Sequence, residues 1–260
     1  MKVNEPGWRN WFTRTTQNRM SFAREGSTPS PGTMSRHKLP EKVFEWNSCV
    51  AYAVGLLVTD GCLSTDKRHI IMRSSDLQLL ETFKKCLNLS NKICQTFHDG
   101  WAKKPAYKIQ FGNVQLYNWL LKIGLFPAKT YTIGKIEVPD KYFFDFLRGH
   151  LDGDGSIVTY TDKWNTFKNP KYIYKRIFVR FISASEKHIT WIRESIFRLS
   201  GIKGHSRENK PTRDFQTTSI WEIKFTKNDS LKLYPYLYPS LIIPCLFRKR
   251  QKIEDFIKSL

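Results

Sequence analysis

The chain has 260 residues, 40% hydrophobic and 14% aromatic, so it can bury a sizeable core and is neither disordered nor fibrous. It carries 43 Lys and Arg against 23 Asp and Glu, a net charge of +20, which calls for a polyanionic partner, nucleic acid first. No run approaches the roughly 18–20 apolar residues of a membrane span, and no apolar leader opens the chain. The five cysteines (Cys49, Cys62, Cys86, Cys94, Cys245) form no CxxC pair, which argues against a disulfide framework or a zinc ribbon. The expected setting is intracellular: cytoplasm, nucleoid or an organelle matrix.

Residues 1–42 read as a basic extension. The segment is Arg-rich and broken by the Ser-Thr-Pro-Ser-Pro-Gly stretch from Ser27 to Gly32. A flexible arm, an arm that grips DNA and a transit peptide are all compatible with that composition.

From Phe44 the order of elements repeats. In the first half, 43–136, a helix over Phe44–Asp60 is followed by strands near Cys62–Ser64 and His69–Arg73 and a helix over Leu77–Leu87. Strands at Lys92–His98 and Ala106–Phe111 and a helix at Val114–Ile123 complete it, before the turn Gly124-Leu-Phe-Pro127. The second half, 137–260, gives a helix over Lys141–Asp154, strands at Ser156–Thr161 and Arg176–Ser183, and a helix to Leu199. A stretch at Gly201–Arg207, a strand at Trp221–Phe225 and helices near Ser230–Leu237 and Cys245–Ile257 follow. Ser75 and Ser185 are expected to cap the middle helices, each followed by an acid suited to a positive helix end. The second half is longer between its motif and its cap, an insertion assigned to the Lys163–Lys175 hairpin loop. The expected fold is α+β: duplicated αββαββα modules with pseudo-two-fold symmetry, their two antiparallel sheets forming a DNA-binding saddle.

The informative segments are Ala53-Val-Gly-Leu-Leu-Val-Thr-Asp60-Gly61 and Leu147-Arg-Gly-His-Leu-Asp-Gly-Asp154-Gly155. Gly55 with Thr59, and Gly149 with Gly153, lie four residues apart on one helix face, where small residues let two helices touch backbone to backbone. The terminal Gly61 and Gly155 are expected to leave the helix through a left-handed turn. An Asp at a helix C-terminus adds negative charge to a negative dipole end, and two such ends side by side repel unless a divalent cation lies between them. Carboxylate and carbonyl donors without Cys or His suit Mg²⁺ better than Zn²⁺. One instance reads equally well as an Asp-Gly turn after a buried helix; two at equivalent points of a repeat favour metal binding.

Both segments resemble the LAGLIDADG motif of homing endonucleases, LRGHLDGDG closely and AVGLLVTDG more loosely, and two copies in one chain resemble the monomeric, pseudo-symmetric members of that family. The resemblance covers the chain from about residue 44 onward. It implies that Asp60 and Asp154 bind metal, with carbonyls of Thr59 and Gly153 assisting, and that Mg²⁺ supports cleavage of both strands of a long double-stranded DNA target, leaving short 3′ overhangs. Mn²⁺ is expected to substitute, and Ca²⁺ to support binding without cleavage. The motif's earlier Asp is retained as Asp152 but is replaced by Val58 in the first copy.

The family also carries a catalytic lysine near the strand before each half's last helix. Aligning Ile109/Phe111 with Ile223/Phe225 sets Gln110 opposite Lys224, so Lys224 is the expected catalytic lysine and Gln110 its weaker counterpart, with Lys108 in competition. Arg73 and Ser183 precede the expected caps by two residues, where the family places polar groups near the scissile phosphates. The alternating strand Arg176-Ile-Phe-Val-Arg180 offers Arg176 and Arg180 to base edges, while Lys129, Arg248 and Lys249 are expected on backbone phosphates. Two rival functions stand beside the nuclease: an intron-encoded maturase that binds RNA, and a non-catalytic DNA-binding regulator on the same scaffold.

Overall fold

The computed structural model describes residues 44–96, 105–211 and 218–260; the 1–42 extension and the end of the strand expected to reach His98 lie outside these residues. Helix α1 (Ser48–Thr59) begins four residues later than its apolar run suggests, because the Asn47 side chain accepts a hydrogen bond from Val50 N at 2.9 Å. Strands β1 (Gly61–Leu63) and β2 (His69–Ser74), helix α2 (Leu77–Cys86), strands β3 (Ile93–Thr96) and β4 (Ala106–Gly112) and helix α3 (Val114–Lys122) follow. The order then repeats as α4 (Phe143–Asp152), β5 (Ser156–Asp162), β6 (Tyr174–Ser183), α5 (Glu186–Ser200), β7 (His205–Asn209), β8 (Ile220–Phe225) and α6 (Lys227–Leu237). A last helix, α7 (Phe247–Lys258), closes the chain.

The strands form two four-stranded antiparallel sheets with the same internal order, β1-β2-β4-β3 and β5-β6-β8-β7. The inner strands β2 and β6 follow the period-2 rule, burying one face and leaving the other more open. Ile70 and Met72 of β2 and Ile177, Val179 and Phe181 of β6 enter the core, while Arg73, Arg176 and Arg180 lie on the opposite faces. Helices α1 and α4 lie at the centre: α1 is buried continuously from Ala51 to Val58, and Phe146, Leu147 and Leu151 of α4 are inaccessible to solvent. Each such Leu or Phe contributes about 1.5–3 kcal/mol through burial.

Arg148 is also fully buried. Its guanidinium donates to the carbonyls of Pro244 and Leu237 and to the Asp145 carboxylate, one bond from each nitrogen, so it holds the C-terminal segment against α4.

The capping expectation shifts by one residue in the first half. Asp76, not Ser75, occupies the N-cap of α2, and neither Asp76 nor Ser185 makes a side-chain cap bond; the Ser185 hydroxyl donates instead to Ile133 O. The corner is held from outside the helix. Ser74 Oγ accepts from Asp76 N, and Ser183 Oγ accepts from Ser185 N, both at 3.1 Å. Ser183 therefore corresponds to Ser74, and Arg73 to Ile182. The expected Arg73–Ser183 equivalence came from placing the first cap one residue early.

Candidate active site

Two glycines fix the centre. A Cβ on Gly55 would overlap the carbonyl oxygen of Phe146, and one on Gly149 would overlap the carbonyl oxygen of Tyr52. Helices α1 and α4 thus meet backbone to backbone at Gly55 and Gly149, as their spacing predicts. Gly61 and Gly155 are required for a different reason from the one expected. Neither has a positive φ; a Cβ there would lie 2.6 Å from Leu57 Cα or 2.8 Å from Leu151 Cα of the preceding turn. Close approach, not a left-handed turn, selects glycine at both helix exits.

This crossing brings the two helix tips together. Burial raises the Asp60 carboxyl to about 7, and the negative charge of Asp154 pushes in the same direction. Burial raises Asp154 as well, although its tip stays open to solvent. Asp152 is different in kind. Its carboxylate is buried, accepts from Tyr52 Oη at 2.8 Å and Leu246 N at 2.7 Å, and is pushed up to about 6 by burial. It ties α1 and the segment before α7 to α4. At the corresponding positions of the other copy stand Val58 and Phe146, so the Tyr–Asp pair is replaced by an apolar pair, and both of those residues are buried.

Lys129 and Lys249 correct the sequence reading most sharply. Expected on backbone phosphates, both are buried, at 8% and 5% exposure. Lys129 Nζ donates to Gly61 O. Lys249 Nζ donates to the carbonyls of Leu151 (2.6 Å), Asp152 (2.8 Å), Gly153 (3.1 Å) and Gly155 (2.7 Å). Each ammonium neutralises the carbonyl end of a motif helix, where a cation interacts best with the dipole. The charges of Lys249 and Lys129 lower the carboxyls of both Asp60 and Asp154, offsetting part of their mutual repulsion. Burial in turn lowers both lysines, Lys249 to about 8. The sequence signal was faint: each lysine follows a proline (Pro127, Pro244) in the segment after its half's last sheet-covering helix.

Among the described residues no group of three or more His, Cys, Asp and Glu side chains is placed to hold a metal ion. The donors present are the two carboxylates and main-chain oxygens, hard ligands that fit Mg²⁺. The Gly153 carbonyl accepts from Lys249 at 3.1 Å, which leaves one of its two lone pairs open. The Thr59 hydroxyl donates back to Leu56 O at 3.0 Å, and a Cβ on Gly153 would overlap that hydroxyl.

No protein-family model matches the sequence, and no curated protein matches it. Solved structures do. The LAGLIDADG meganuclease I-AabMI bound to uncleaved DNA matches with a TM-score of 0.54 at 13% identity, covering 82% of this chain and 90% of that one. The meganuclease I-SmaMI bound to uncleavable DNA matches at 0.52 and 15% identity, covering 84% and 89%. The chain has the LAGLIDADG fold. Full-length DUF199/WhiA from Thermatoga maritima matches only at 0.46 and 16% identity, and the chain spans 62% of its length.

On the solvent faces of the LAGLIDADG sheets, Gln110 is exposed opposite Ile71, and Lys108 Nζ lies 3.4 Å from Gln110 Oε1. Lys224 stands opposite Arg180, with its Nζ 3.8 Å from the centre of the Phe178 ring. The charges of Lys129 and Lys249 both bear on Asp60 and Asp154. Arg180 donates to Ser156 Oγ at 3.0 Å and pairs with Glu222 at 3.6 Å, and Arg176 pairs with Asp162 at 3.2 Å. Arg73 is exposed, and Arg248 is half-exposed and paired with Asp76 at 2.6 Å.

Proposed function

We propose that the protein is a sequence-specific endonuclease that cuts both strands of a long double-stranded DNA site by divalent-metal-assisted hydrolysis. One observation carries this reading: Asp60 and Asp154 stand at the joined tips of α1 and α4, each tip backed by a buried lysine. A merely structural helix pair has no use for two partly desolvated carboxylates facing each other, because their repulsion costs stability. The DNA-bound meganucleases of the same fold support the choice of duplex DNA as partner, and so does the charge of +20.

In this reading the halves 43–136 and 137–260 each supply one carboxylate, and one strand is cut near each. Asp60 and Asp154 would hold Mg²⁺, which when bound polarises a phosphoryl oxygen and lowers the pKa of a coordinated water. The chain's own groups do the rest. The main-chain carbonyls fix the ammonium groups of Lys129 and Lys249, which place positive charge where the phosphoryl group becomes more negative. In the net reaction water adds to phosphorus, the P–O3′ bond breaks, and the 3′ oxygen leaves with a proton. Lys224, with Gln110 as its weaker counterpart, is assigned to assist the chemistry from the sheet faces; Lys108, Arg73, Arg176, Arg180 and Ser183 are assigned to positioning the duplex there, and Arg248 to the phosphate backbone.

The test is a cleavage assay on DNA made by joining the two flanks of the reading frame, the sequence that an inserted gene would interrupt. With Mg²⁺ or Mn²⁺ the expected product is a double-strand break with short 3′ overhangs, while Ca²⁺ gives binding alone. A chain that binds this DNA but leaves both strands whole in Mg²⁺ and Mn²⁺ contradicts the nuclease reading.

A further inference from the structure

The two halves differ at one hairpin. In the first, β2 pairs with β4 along its whole length, His69–Ser74, and only a short turn joins it to β1. In the second, β6 pairs with β8 only from Val179 to Ser183, whereas its pairing with β5 runs on to Tyr174. Residues 158–162 and 174–178 therefore project beyond the four-stranded sheet as a two-stranded ribbon about 15 Å long, at ~3.4 Å per residue. Its tip is the loop 163–173.

One face of the ribbon continues the solvent face of the second sheet, because Tyr160, Tyr174, Arg176 and Phe178 share the parity of Arg180. Rings stack along it: Tyr160 on Phe178, with centroids 6.0 Å apart and planes at 29°, and Tyr172 on Tyr174 at 6.2 Å and 25°. Cations lie over the same rings, Lys224 over Phe178 at 3.8 Å and Arg176 over Tyr174 at 5.3 Å. At the tip, Trp164 is 82% and Phe167 76% exposed, so they do not pack on each other. The opposite face is braced by α7: Lys175 Nζ donates to Ser259 O, and Lys252 Nζ lies 3.4 Å from Ile157 O.

Resting on the nucleic-acid reading above, we infer that this ribbon is a stacking platform for unpaired bases of a nucleic-acid strand that runs off the end of the second sheet. Duplex phosphates need only cations. Aromatic rings interleaved with cations, ending in the bare rings of Trp164 and Phe167, suit the π-faces of unstacked bases, which bind such rings with little regard to sequence. A protein or lipid partner fits less well. Lys163, Lys168, Lys171, Lys175 and Arg176 stand against the single acid Asp162, which Arg176 already pairs, and the exposed apolar groups are almost all planar rings.

The test uses the full chain and fluorescence anisotropy with three labelled probes of roughly 20 nucleotides, about the span of one or two stacking modules. They are a thymidine strand, a uridine strand and a mixed-sequence duplex. Trp164→Ala/Phe167→Ala should weaken single-strand binding by about tenfold or more while leaving duplex binding and the salt slope unchanged. Trp164→Phe/Phe167→Tyr should restore it, and the uridine arm tells RNA from DNA as the preferred strand. Lys163→Ala/Lys168→Ala should weaken all probes and flatten the salt dependence. Unchanged single-strand affinity in the alanine pair overturns the platform. Wild-type binding to the duplex alone does the same without touching the nuclease reading, and binding to none of the probes overturns both.

Discussion

Lys129 lies in the turn after α3 and Lys249 in the first turn of α7, yet each ends on the carbonyl of the glycine that closes a motif helix, Gly61 for one and Gly155 for the other. The pair is a second expression of the pseudo-dyad, built from side chains whose common sequence context is only a preceding proline, Pro127 or Pro244. It changes the electrostatic account of the site. The fold carries its own positive charge to the aspartate tips, where both ammonium groups favour the charged carboxylates.

Replacing Lys249 tests that role. Lys249→Met leaves four carbonyls without their donor, and hydrogen bonds to a charged group contribute about 1.5–3 kcal/mol each when measured singly. The four share one ammonium, so their loss is expected to cost about 2–4 kcal/mol in total. A urea unfolding curve should shift to a clearly lower midpoint with its slope unchanged. An unaltered midpoint would show that the carbonyls find water instead.

The glycine crossing makes a prediction about coupling. Gly55→Ala and Gly149→Ala each drive a methyl group into a backbone carbonyl of the other helix and should each cost about 3 kcal/mol or more. Once one substitution has pushed α1 and α4 apart, the second meets less resistance. The double variant should therefore lose less than the two single losses together. Strict additivity in denaturant melts would mean that the two contacts are independent.

A buried histidine pair predicts loss of stability in acid. His150 and His188 stack at 5.3 Å beneath the site, among Phe146, Phe181 and Trp191. Burial lowers both, His188 to about 4, and the charges of Lys249 and Lys129 lower His150 and His188 respectively. For a group whose pKa falls on folding, stability is whole above the unfolded value of about 6.5 and is lost as pH drops toward 4, by up to about 3 kcal/mol for His188. Asp60 and Asp152, raised on folding, act in the opposite sense over part of this range. Comparison with His188→Gln isolates the effect. Between pH 6.5 and 4 the wild type should lose stability relative to the variant, and parallel pH profiles would refute the assignment.

The fold was legible because its two strongest constraints are local. Glycine at helical spacing, an Asp-Gly exit and strands alternating as in Arg176–Arg180 each announce themselves within a few residues. The cap of α2 was misplaced because Ser75 and Asp76 are both capping types, and only the bond from Asp76 N to Ser74 Oγ decides between them. The lysines were misread for a deeper reason. Charge runs such as Arg248-Lys249-Arg250 are usually solvated, and only tertiary contacts turn Lys249 and Arg250 inward while Arg248 stays out. For Lys224, the family's catalytic lysine and the alignment of Ile109/Phe111 with Ile223/Phe225 give the strand and the sheet face, and the register of β6 with β8 places it opposite Arg180.

The central claim is that Asp60 and Asp154 act together at one dyad. The most direct measurement is strand-resolved cleavage of the joined-flank DNA by Asp60→Asn and by Asp154→Asn, with binding followed separately in Ca²⁺. Each variant should lose cleavage by several orders of magnitude while binding stays near wild type, since Asn keeps the shape and removes the charge. Cleavage of both strands at the wild-type rate by either variant would contradict the account.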